Sequence, residues 1–370
     1  MDTRLRIIAL VAALTASVGS SACVGYPGTG DPTAEPTPAQ PPAPGQWTVT
    51  TRDHIDLWLH SFALLHADST RVPFFRRGYR DSVLAQRRRA NVTTLLDVNR
   101  ERLAARFLAF PNLVSAHFIP LYFGSWEETR RSAELFLRTE GDERAAGDAR
   151  SQQIIRLFSG YFPTQPDREW LRQFVQAVED ERVKFFSSYW QEQQRQRADA
   201  RTTVDSLWRN TYRQRFARFL NNSGADRGTI VLSLPLNGEG RTLDLGQRTR
   251  IVAVNLPERT DDAREALYTF AHEMIGSVTS IALDDNLSPA EKRAGVADRY
   301  ASAALVRGGA MLMQRAAPEL AEGYARYYLR SARVPFSTGD AMAALAAAFP
   351  LPDSVRDAIR RQIDIVLGGI

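Results

Sequence analysis

Gly228-Thr-Ile-Val-Leu-Ser-Leu234 and Arg250-Ile-Val-Ala-Val-Asn-Leu256 decide the fold class of this chain. Both are short runs rich in β-branched residues and bounded by turn formers, which reads as strand and not as helix. Asn237-Gly238-Glu239-Gly240 lies between them as a turn, and Arg241 to Leu245 is a segment able to pair back. After Pro257 the period changes again. A helix is expected from about Asp261, where Asp261-Asp262 suits the positive end of the helix dipole. Leu267, Phe270, Met274, Val278 and Ile281 recur along it at helical spacing.

On the N-terminal side, residues 51–220 are dominated by helical periodicity. Ile55, Trp58, Leu59, Phe62, Leu65 and His66 form one stripe of a first helix. Further helices are expected within 83–110, through Leu137 from the capping box Ser125-Trp126-Glu127-Glu128, and over 143–158. Pro166 opens a long one, and the last, near 203–220, stops at Asn221-Asn222-Ser223-Gly224. On the C-terminal side the Ala- and Gly-rich run 301–313 permits close helix packing. A segment from Pro318 and helices near 338–349 and 353–367 complete the chain. The predicted fold class is therefore mainly α, of the α+β kind: a helical part, 47–224, then a part with a small sheet and helices, 225–370.

Residues 1–46 have a different character. Arg4 and Arg6, the uncharged apolar run Ile7 to Val18, and the small residues Gly19-Ser20-Ser21-Ala22 read as a secretory signal, 1–22. The apolar run is 12 residues long, short of the roughly 20 that a membrane span needs. Cys23, the only cysteine, stands where the signal ends and is expected to carry a lipid anchor. Seven prolines between Val24 and Gln46 make 23–46 an extended tether. The chain is thus expected to be an exported cell-envelope lipoprotein of a bacterium, held to a membrane by its anchor.

The net charge of +5 comes from a composition in which Lys184 and Lys292 are the only lysines and Arg supplies the rest. Arg87-Arg88-Arg89 reads as a solvated helix face, because no interleaved aromatic or nucleic-acid motif surrounds it; no nucleic-acid partner is expected.

Three histidines, His54, His60 and His66, recur every six residues on the first helix. At ~100° per residue they fall about 120° apart on the wheel, so they cannot meet at one ion. His117, in an apolar stretch, reads as a core or rim residue.

His272-Glu273 sits on the middle turn of the helix that follows the strands. Strands followed by such a helix resemble the catalytic half of a zincin-type metallopeptidase of the gluzincin group, over about 228–330. The resemblance implies His272 as a zinc ligand, Glu273 as the catalytic base acting on the metal-bound water, and a carboxylate on a later helix as third ligand, for which Asp298 is the candidate. The chain departs from the motif His-Glu-x-x-His at one place. It reads His272-Glu273-Met274-Ile275-Gly276, so the second ligand position has no side chain, and no histidine follows His272. Glu291 belongs to a second capping box, Ser288-Pro289-Ala290-Glu291, and Asp284-Asp285-Asn286 reads as a polar helix end.

Three functions stay open on these residues. The first is a degenerate metallopeptidase-like domain, without cofactor, in a binding or structural role. The second is an active zinc metallopeptidase with an unusual ligand, His117 or Asp298. The third is a helical surface lipoprotein unrelated to peptidases.

Overall fold

The computed structural model describes residues 46–66, 72–110, 112–336 and 339–368. The signal, Cys23 and the tether up to residue 45 lie outside the described residues. The chain is mainly helical with one small mixed sheet, as the strand and helix patterns predict. Helices of eight residues or more are numbered below.

The sheet has the order β1-β2-β4-β3, formed by β1 (Trp47–Thr50), β2 (Arg227–Ser233), β3 (Arg241–Asp244) and β4 (Thr249–Asn255). β1, β2 and β4 are parallel, with Trp47 opposite Gly228 and Ile230 opposite Val252. β2 and β4 are buried almost throughout, as expected of parallel strands covered on both faces. The pairing-back segment, β3, runs antiparallel to β4 and not to β2, with Arg241 opposite Ala253. It forms the half-exposed edge.

β1 was not expected from sequence, since residues 47–224 read as helical. It joins the sheet of the C-terminal part, so the division at 224/225 is crossed by backbone pairing. Trp47 fixes this junction: its Nε1–H donates to the Ala225 carbonyl (2.9 Å) and its ring meets Trp208 and Phe270 edge-on. Gly228 makes room for it. A Cβ there would stand 2.6 Å from the Arg250 carbonyl and 2.7 Å from the Trp47 ring.

α1 (Asp53–Leu65) runs through the core, and every residue after Asp53 is buried. The expected apolar stripe is therefore buried all round, which requires each polar group on it to find a partner. Trp58 Nε1–H donates to the Ala116 carbonyl (3.0 Å), and the Asp56 carboxyl accepts from Leu234 N–H (3.1 Å) and Trp190 Nε1–H (2.9 Å). The three histidines have separate partners: His54 the Phe123 carbonyl, His60 Tyr79 and Glu181, and His66 His117.

α2 (Tyr79–Arg89) starts four residues ahead of the expected 83–110 region, and α3 (Arg100–Ala109) lies inside it. The solvated face expected for Arg87-Arg88-Arg89 holds for Arg88 and Arg89 only. Arg87 is buried, four residues from the buried Val83, and its guanidinium contacts Asp97, Thr94 and Glu181. α4 (Trp126–Arg138) is capped by the Ser125 side chain, but Glu128 reaches back to Gly124 N–H instead of Ser125.

α5 (Ala149–Tyr161) precedes α6 (Gln165–Glu181). α6 passes through a wide π turn, Arg182–Phe186, into α7 (Ser187–Gln196). A second π turn, Trp208–Tyr212, joins α8 (Ala198–Leu207) to α9 (Arg213–Asn222).

After the sheet, the expected continuous helix is broken. α10 (Arg264–Met274) ends at Ile275, and α11 (Gly276–Asn286) restarts from it. α10 packs on β4 and against α12 (Val296–Ala316) and α13 (Pro318–Ser331). α14 (Ala341–Ala348) lies on α13 and α12, and α15 (Asp353–Val366) lies on α11 and α12. Among the described residues no helix is long and apolar enough to cross a membrane.

Candidate functional site

The last turn of α10 places His272 and Glu273 at a cleft of about 650 Å³. Its walls are the edge strand β3, with Arg241, Thr242 and Asp244, and the facing helices α11 and α12. The helical part contributes Phe74. Phe74 is held there because the segment after α1 bonds to the segment after β2: Asn237 N–H to the Phe74 carbonyl (3.0 Å), Arg76 N–H to the Pro235 carbonyl (2.7 Å).

Glu273 is the centre of a short bond chain. Its Oε1 accepts the Gly240 N–H (2.8 Å) and lies 2.9 Å from His272 Nδ1. With the carboxylate as acceptor, Nδ1 carries the imidazole proton and Nε2 presents a lone pair. Gly240 is needed for this approach, since a Cβ there would stand 2.0 Å from the Ala253 carbonyl. The His272 ring stacks on Tyr328 at 5.2 Å, and the Tyr328 hydroxyl donates to the Gly238 carbonyl (2.8 Å). Both residues are thereby fixed to the turn that leads into β3.

Three buried polar atoms of cleft residues have no hydrogen-bond partner among the described residues, His272 Nε2, Thr242 Oγ1 and Arg250 Nε, the last of which still has the Asp244 carboxylate at 3.6 Å. Buried polar groups are satisfied in the great majority of native sites. Three of the exceptions in this chain belong to residues of this one cleft.

In the sequence Glu239 is part of the turn 237–240. Burial pushes its carboxyl up to about 7, helped by the Glu273 charge and opposed by His272 and Arg241. The only sequence signal was an acid between two glycines. An unfolded glutamate ionises near 4.5, so between there and about 7 the folded chain holds a proton that the unfolded chain releases. The stability from this group is complete below the unfolded value and is lost as pH rises through about 7. Urea unfolding of wild type and Glu239→Gln at pH 5 and pH 8 should show a steeper loss in wild type. The difference should be on the order of 2–3 kcal/mol.

Asp298 lies in the first turn of α12 and lines the same cleft. His272, Glu273 and Asp298 therefore share one cavity. Among the described residues, however, no three His, Cys, Asp or Glu side chains are grouped to hold a metal ion. Gly276 also lines the cleft, past the helix break, and a Cβ there would touch only Leu305, at 3.8 Å. The donor set does not fit a catalytic zinc, which normally has three protein ligands.

His117 is not among the residues lining this cleft. Its Nε2 lies 3.1 Å from His66 Nε2, against the rings of Phe62, Phe74 and Phe107. Burial depresses the His66 pKa to about 4. Glu291 makes both bonds of its capping box with Ser288, and Asp284, Asp285 and Asn286 end α11.

Comparison of the chain with protein-family models, with curated proteins and with solved structures finds no match in any of the three.

Proposed function

We propose that this chain is an exported, lipid-anchored protein of a bacterial cell envelope. In this reading its C-terminal part is a metallopeptidase-like domain whose cleft binds an extended peptide segment of a partner without hydrolysing it. The observation that supports this best is the combination at the cleft. His272 and Glu273 face an antiparallel edge strand, three buried polar atoms of cleft residues lack hydrogen-bond partners among the described residues, and the second ligand position of the motif is Gly276. β3 pairs only with β4 in the sheet, so its other edge offers backbone groups to an added strand, the usual way in which sheet edges take up peptides. Glu273 is engaged by Gly240 and His272, which favours a fixed wall over a base free to accept a proton.

Peptides selected from a random library against the purified protein test the binding reading. Gly276→Trp fills the cleft without a clash at Cβ. Their affinity should fall at least about tenfold on that substitution, a loss of about 1.4 kcal/mol. Peptides that bind wild type and variant alike would place the binding surface elsewhere. The anchor is tested by radiolabelled palmitate in an expressing bacterium. Wild type should take up label and Cys23→Ala should not; equal labelling, or none in wild type, counts against the anchor.

A further inference from the structure

A second recess lies on the face of the chain formed by α12, α14 and α15. It has a volume of about 520 Å³, within the range of small-ligand sites. Arg307, Arg315 and Arg360 line it, and no acidic residue does. Its remaining lining includes the partly buried Met342 and, behind it, the buried Met311 and Ile363.

The three guanidiniums are unequally neutralised. Arg315 is paired with Asp364 (3.0 Å). Arg360 approaches Asp357 at 3.6 Å, but Asp357 is held more closely by Arg356 (3.1 Å). Arg307 has backbone partners instead of a carboxylate, the Ala346 and Phe349 carbonyls at the end of α14 (3.1 and 3.4 Å). Burial and the charges of Arg356 and Arg360 all disfavour its protonated form. Several cations held together at a partly apolar recess repel one another, and an anion seated among them would relieve that repulsion. Guanidinium forks match the tetrahedral oxygens of phosphate, and the partly exposed Met342 with the edge of Met311 matches an alkyl chain.

We propose that this recess binds a phosphate monoester or diester attached to an apolar tail, with Arg307 and Arg360 on the phosphate and Met342 and the edge of Met311 on the tail. The inference does not depend on the peptide-binding reading of the other cleft. The two sites have no lining residue in common.

Dodecyl phosphate below its micelle-forming concentration is the probe, with inorganic phosphate and dodecyl maltoside beside it, titrated calorimetrically into the full chain. One dodecyl phosphate should bind per chain, at least about tenfold more tightly than either control. Arg360→Gln removes an exposed side chain and should weaken it about tenfold or more, the loss of one charge-assisted contact. Arg307→Gln should do the same. Because Arg307 also caps α14, its variant is checked by circular dichroism, and the exposed Arg360 keeps the test decisive if Arg307→Gln unfolds. Sedimentation with phosphatidylglycerol vesicles, lost in Arg360→Gln, would identify a lipid headgroup as the natural source; binding without sedimentation would identify a soluble phosphate ester. Equal binding of dodecyl maltoside, equal binding of inorganic phosphate, or an unchanged Arg360→Gln affinity would overturn the proposal.

Discussion

Glu273→Ala is expected to lower the stability of the chain by about 2–4 kcal/mol, while Glu273→Gln should cost much less. The alanine leaves the Gly240 N–H and the His272 Nδ1–H without their shared acceptor, and each buried donor so orphaned costs about 1–3 kcal/mol. Glutamine keeps one carbonyl oxygen that can still accept. Urea denaturation of the three proteins reads the difference directly. An alanine variant as stable as wild type would mean that the carboxylate is not a fastener between α10 and the turn before β3. Glu273 would then be free for proton transfer, as the peptidase resemblance implies.

Glu181→Ala should have an effect at least as large, about 3–5 kcal/mol, the usual cost of removing one partner from a buried ion pair. Glu181 is fully buried at the end of α6 and accepts from Thr94 (2.6 Å) and lies 3.0 Å from His60 Nε2 and 3.3 Å from the Arg87 guanidinium. Removing it strands Arg87, which is 2% exposed, with only Asp97 to balance it. Burial works against ionisation of Glu181, but the His60 hydrogen bond and the Arg87 charge outweigh it and hold the carboxyl below its usual range. Its contribution is therefore present above the ordinary glutamate value and lost as pH falls through the lowered one. The stability gap between wild type and Glu181→Ala, followed by thermal unfolding, should be widest near neutral pH and shrink in acid. A gap independent of pH would show that Glu181 acts through packing alone.

The helical architecture was legible because its signals are local. Ser125 and Ser288 cap the helices that follow them, Pro166 stands in the first turn of α6, and the turn at 221–224 stops α9. What escaped is what distant residues create. β1 is four residues long and is a strand only because Gly228, far along the chain, accepts Trp47 beside it. The π turns at Arg182–Phe186 and Trp208–Tyr212 leave a spacing that periodicity reads as ordinary helix. Arg87 could have been found. It stands four positions after Val83, about 40° away on the helix wheel, and so shares the face that Val83 buries.

The site divides in the same way. His272, Glu273 and Asp298 were picked out in sequence, and all three line one cleft. The break at Ile275 was hidden, because only the backbone there, at φ −76° and ψ −8°, separates α10 from α11. Glu239, Arg241 and Thr242 were invisible as site residues, since a turn and a four-residue edge strand acquire a role only when α10 is packed beneath them. The His66–His117 contact joins two elements 51 positions apart, and neither histidine announces the other.

The central claim is that the cleft works without a catalytic metal, and zinc content tests it most directly. The purified chain and His272→Ala are each incubated with equimolar zinc, freed of unbound ion and measured by plasma mass spectrometry. The account predicts well below one zinc per chain in both and no difference between them. One zinc per chain in wild type, lost in His272→Ala, would contradict it.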